Sequence, residues 1–207
     1  MKNKIKKFYK ELKEGYNWKM YKVLTILFLA SSIIAYIIIN NVEIDWEMTF
    51  KKMIDLFPSV MEDQTVHERF LFILLNNLQV SFIVTVLGMI PLIILPAWVI
   101  LSNGAIIGAA LGLFKHLGAN ISKALFIGII PHGITEVGGL ILGVMVAIHL
   151  SKDILEYMRK RMDIKEFKKR FKLHVKTYFT IIVPMVIVSA LIESYITSYL
   201  VEIYGIM

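Results

Sequence analysis

Cysteine is absent from all 207 residues, which excludes disulfides, thiolate metal sites and cysteine nucleophiles together. Charge is nearly absent from two long stretches. Between residues 71 and 150 only Lys115, Lys123 and Glu136 carry one, and between 177 and 201 only Glu193 does. Pro91, Pro96 and Pro131 each fall inside an apolar stretch, where a proline can bend or stop a helix. Low-complexity tracts and convincing internal repeats are missing. So are the HExxH metalloprotease pattern and an activated serine.

What is present is apolar. Hydrophobic residues make up 57% of the chain and mean hydropathy is +0.67, above what a soluble globular chain carries, so the sequence reads as an integral membrane protein. Charge is concentrated at 1–22, 41–69 and 151–176. The net charge of +7 sits beside hydrophobic spans, where lysine and arginine set topology and touch anionic lipid headgroups. Without a basic-aromatic soluble module, nucleic acid is not an expected partner.

Apolar blocks cover 21–39, 71–117 with a break at 102–104, 121–150 and 177–201. A span needs roughly 20 residues, so the second block divides into 71–101 and 104–117, giving five spans. Segment 71–101 is about 46 Å long as a straight helix, and reads either as one kinked span or as two short ones followed by a re-entrant 104–117. The lysines from Lys2 to Lys22 place the N-terminus in the cytoplasm, and the apolar run after them reads as an uncleaved signal-anchor helix, since no small-residue cleavage site follows. The expected organisation is a basic cytoplasmic N-terminus (1–22), a first span (23–39) and an acidic extracytoplasmic loop (40–70). A membrane core with half-helix elements (71–150), a basic amphipathic cytoplasmic segment (151–176) and a last span (177–201) follow. Five spans satisfy the charge parity. Within this frame, 151–176 reads as an amphipathic helix lying on the inner membrane surface, and 50–60 as a short interfacial helix.

Gly104, Gly108 and Gly112 recur every fourth residue, as do Gly139, Gly143 and Ala147; such flat faces let helix backbones approach closely in lipid. The run Pro131-His132-Gly133-Ile134-Thr135-Glu136 places two ionisable side chains one helical turn apart deep in an apolar segment. Pro131 suits a first helical turn and Gly133 eases a break, so the fourth span is predicted to be broken here. A half-helix would then point its N-terminal dipole at Glu136. Glu193, flanked by Ser189 and Thr197, is the natural third member. His132 lies nine residues beyond Lys123 and Glu193 nine short of Glu202, so both sit roughly 14 Å below the outer surface. Asn76 and Asn77 could join the cluster; His116 and His149 fall nearer the span ends. Three readings fit: a hydrogen-bonded polar knot that fixes helix register, a catalytic or metal-assisted site with His132, Glu136 and Glu193 around a zinc ion, and a proton or substrate pathway.

The pair Asn76-Asn77, the Asn103-Gly104 break followed by Gly108, the PHGITE run at 131–136 and the LIESYIT stretch around Glu193 come in the order and spacing of a known family. Over 71–200 the chain resembles the stage II sporulation protein M family. The resemblance implies a multi-pass cell-membrane protein without known enzymatic chemistry in its best-studied branch. There it is a scaffold working with sporulation proteins D and P, wall hydrolases and binding partners, in septal membrane migration during engulfment. Other relatives are associated with maturation or export of circular bacteriocins. The expectation is therefore an all-α polytopic membrane helix bundle that scaffolds a peptidoglycan-remodelling complex and has no resident cofactor. The competing class is an intramembrane enzyme or export component for a hydrophobic peptide.

Overall fold

The computed structural model describes residues 2–43, 48 and 65–205, and every regular element among them is helical. The interfacial helix predicted over 50–60, with most of the acidic loop, lies outside the described residues. The helices are α1 (Lys2–Gly15), α2 (Trp18–Asn41), α3 (Val66–Leu87), α4 (Ile94–His116), α5 (Ile121–Met158) and α6 (Ile164–Tyr204). The last five are each long and apolar enough to cross a membrane, so the chain is a multi-pass all-α bundle.

Local chemistry sets where these helices begin. The Asn17 side chain accepts from the Lys19 amide at the start of α2, and Asn120 does the same for Lys123 at the start of α5. Thr65 and Glu68 form a reciprocal capping box on α3, while Asp163 caps α6 through the Glu166 amide.

Successive spans alternate in direction, which gives the bundle a basic end, carrying α1 and the α5–α6 turn, and an opposite end where α5 starts and α6 finishes. There the Lys123 ammonium donates to the Tyr204 carbonyl at 3.0 Å. The core helix is α5, in which every residue from Ile141 to Ile148 is buried. A helix apolar on all sides must be enclosed, and α2, α3, α4 and α6 all pack against it. The outer helices leave large apolar side chains exposed, among them Ile26, Ile33 and Ile37 on α2, as suits a surface solvated by lipid.

The glycine spacing acts mainly between α4 and α2. A Cβ on Gly104 would collide with the Phe28 carbonyl and the Ser31 side chain, one on Gly108 with the Ser32 carbonyl, and one on Gly112 would come within 2.5 Å of Ile39. Gly139 and Gly143 face Met185 and Ile182 of α6 at looser distances of 3.4 and 3.9 Å.

Three expectations about continuity change. The break predicted at 102–104 does not form: α4 runs straight through it, because Ser102 and Asn103 turn their side chains onto carbonyls of the preceding turn. Both reach the Val99 carbonyl, Asn103 at 2.8 Å. The interruption lies instead at 88–93. There Pro91 lacks an amide and its ring disfavours helical backbone at Ile90, so 71–101 belongs to two spans and 104–117 is the second half of α4.

The second change is at Pro131. The chain stays helical across it, the distortion taking the form of a π-helical turn over Ala124–Ile129. No free helix N-terminus therefore points at Glu136.

Third, 151–176 is not a separate surface helix. It is the tip of a hairpin made by the end of α5 and the beginning of α6, which continues without interruption into the last span. The exposed row Phe171, Val175 and Phe179 carries the apolar side of that span outward along the same axis.

Candidate functional site: an intramembrane triad between two π turns

Both long helices contain wide turns, and two of these follow one rule. The Ile130 amide bonds to the Leu125 carbonyl and Pro131 comes next; the Val183 amide bonds to the Tyr178 carbonyl and Pro184 comes next. A proline inside a helix removes one amide and clashes with the carbonyl four residues back, and a turn with one extra residue relieves both. The third wide turn, Ile192–Thr197, precedes no proline. Here Ser198 gives both its amide and its hydroxyl to the Glu193 carbonyl, the latter at 3.1 Å.

The first and third wide turns pack against each other, which brings the predicted residues together. His132, Glu136 and Glu193 each offer one ligand atom, and these atoms all lie within 4.8 Å of one another. His132 Nε2 is 3.8 Å from the Glu136 carboxylate, while Nδ1 on the other side of the ring is 3.2 Å from the Thr197 hydroxyl. The His132 carbonyl accepts from Thr135 at 2.8 Å and from the buried Ser189 at 3.4 Å. The polar stripe of Ser189, Glu193 and Thr197 thus meets the His132–Glu136 face.

The asparagine pair makes no hydrogen bond to this cluster. Asn76 is exposed and Asn77 half-buried on α3. Gly133 is buried, where a Cβ would touch the Ile129 side chain at 3.4 Å. Pro131 supplies the wide turn, and Asn103 serves α4 internally. His149 lies near the basic end, with Nε2 accepting from the Asn17 amide at 3.1 Å and Nδ1 donating to the Met145 carbonyl.

A second polar cluster, not foreseen from sequence, occupies the basic end. Asp153 of α5 faces His174 of α6 at 2.9 Å and Arg170 at 3.0 Å, and Tyr16, at the α1–α2 junction, reaches His174 Nδ1 at 2.9 Å and Thr177 at 3.2 Å. Asp153, His174, Thr177 and Tyr16 are all buried. Burial pushes the Tyr16 phenol up, so it keeps its proton. These residues come from three distant parts of the sequence with no shared periodicity. The only local signal is an aspartate on an otherwise apolar face of α5.

With the fold and both clusters described, comparison with known proteins places the chain. A family model described as Stage II sporulation protein M matches residues 24–198. The chain belongs to the stage II sporulation protein M family. No curated protein and no solved structure matches the chain. The stage II sporulation protein M match runs from Leu24 in α2 through α3, α4 and α5 to Ser198 in α6, and so contains the whole triad.

Proposed function

We propose that the protein is a scaffold in the cell membrane that holds together a peptidoglycan-remodelling complex of the engulfment type, with its basic end in the cytoplasm. Family membership across residues 24–198 is the observation that carries this reading. The architecture supports it. The α2–α4 glycine seam and the enclosed α5 make a closely packed body, and the buried Tyr16–His174–Asp153 cluster ties α1 to the hairpin tip. Cell-wall hydrolases anchored in the same membrane are the partners this reading requires.

The second reading, an intramembrane enzyme or export component for a hydrophobic peptide such as a circular bacteriocin, rests on the gathered triad. Mild crosslinking in native membranes followed by capture of the tagged chain separates the two. Wall hydrolases or their membrane partners in the captured material support the scaffold. A small cationic peptide with transporter subunits, and no wall enzyme, overturns it in favour of the second.

A further inference from the structure

The geometry points to a binding site for one divalent transition-metal ion, with zinc the best match, held by His132, Glu136 and Glu193 at the seam of α5 and α6. This goes beyond the scaffold reading and does not depend on it.

The donor set is an imidazole and two carboxylates contributed by two helices, with one atom of each within 4.8 Å of the others. Ligands around a tetrahedral zinc lie about 3.4 Å apart, as follows from metal–ligand bonds of roughly 2.1 Å, so rotations that move the side-chain tips by about an ångström close the site. His132 is oriented for the task. In the tautomer that donates Nδ1–H to Thr197, the lone pair is on Nε2, the atom facing Glu136 at 3.8 Å. Metal-ligating histidines are held in this way by a hydrogen bond from the other ring nitrogen. Ser189 and Thr135 fix the His132 backbone on the carbonyl side.

Charge balance argues in the same direction. With the histidine neutral and both carboxylates ionised, the group would hold two negative charges facing each other inside the apolar layer, and among the described residues the only ion-pair contact of either carboxylate is with His132. One divalent cation brings the group to neutrality. Thr197, Ser189 and Thr135 are uncharged and leave that balance unaltered. Three protein ligands also leave a fourth position open for water or an incoming group.

The test uses the full chain purified in detergent, stripped with a chelator, incubated with zinc alone and desalted. Metal per chain is then read by mass spectrometry, and the thermal midpoint is compared with and without zinc. The expected result is about one zinc per chain and a higher midpoint with zinc. Glu193→Gln and His132→Ala should each lower occupancy about tenfold or more and abolish the midpoint shift, while His67→Gln, on the exposed start of α3, changes neither. A folded wild type that retains no zinc overturns the site, as does equal retention by the triad variants. Cobalt(II) loading of the wild type needs no variant: the intense visible bands of four-coordinate cobalt support the site, and only the weak bands of the six-coordinate aqua ion overturn it.

Discussion

His174 Nε2 lies 2.9 Å from the Asp153 carboxylate in a pocket where both side chains are about 5% exposed or less. The neighbouring hydroxyls hold the imidazole in place. Thr177 spends its hydroxyl proton on the Leu173 carbonyl at 2.8 Å, so toward Tyr16 it acts as an acceptor. Tyr16 donates to Thr177, and its oxygen also lies 2.9 Å from His174 Nδ1. Asp153 accepts from His174 Nε2–H and from Arg170, so the imidazole is clamped between the carboxylate and Tyr16.

Removing His174 takes the Nε2–H donor from the buried Asp153 carboxylate and leaves Arg170 on it, and breaking such a buried contact costs up to about 3–5 kcal/mol. His174→Ala should therefore lower the stability of the detergent-solubilised protein by roughly that amount. Tyr16→Phe, which removes one hydrogen bond, should cost about 1–3 kcal/mol. Thermal or denaturant unfolding of the two variants measures the difference. Equal and negligible effects would show that the cluster does not tie α1 to the hairpin.

Tyr16 also predicts an alkaline limit. Its folded-state pKa is raised above the unfolded value, so the native state holds the proton more tightly. The associated stability is fully present below about pH 10, the ordinary tyrosine value, and declines as pH rises beyond it. The midpoint difference between the wild type and Tyr16→Phe should be constant from pH 6 to about pH 9.5 and shrink above that. A difference that grows with alkalinity would carry the opposite sign and contradict the assignment.

The α2–α4 seam predicts a graded glycine series. Gly108→Ala puts a methyl group into the Ser32 backbone and should sharply reduce the yield of monodisperse protein. Gly118→Ala meets nothing within 4 Å but forces φ of +81° on an L-residue, a cost of about 1 kcal/mol. Gly128→Ala, with open space and ordinary φ, should be tolerated. Size-exclusion profiles of the three variants rank them directly.

Orientation follows from the positive-inside rule. A single cysteine introduced at Arg161, in the α5–α6 turn, should resist an impermeant thiol reagent in intact cells and react once the membrane is opened. One at Gly118, between α4 and α5, should react in both. The reverse pattern would invert the bundle.

The number and order of the spans were legible because hydropathy depends on composition over some twenty residues, which packing does not override. The break in the second apolar block was harder to place. Ser102 and Asn103 look like helix breakers until their side chains are seen bonding to Val99, and only then does the proline at 91 become the stop. The triad was legible from its spacing and depth on two antiparallel helices. Its π turns were not: the one before Pro131 depends on how a proline is absorbed in a continuous helix, and the one at Glu193 on a serine hydroxyl. The Asp153–His174–Tyr16 cluster left no shared pattern beyond the lone aspartate on α5, since its members are brought together by helix packing.

The absence of native cysteine allows a direct test of the seam between α5 and α6. The pair His132→Cys and Thr197→Cys replaces side chains now 3.2 Å apart, and a protease site placed in the turn at 159–163 cuts the chain between them. After oxidation in native membranes and cleavage, the two fragments should migrate together without reductant and separate with it. Fragments that separate under both conditions, in a protein that is folded and fully cleaved, would show that the two wide turns do not meet and that the triad does not assemble.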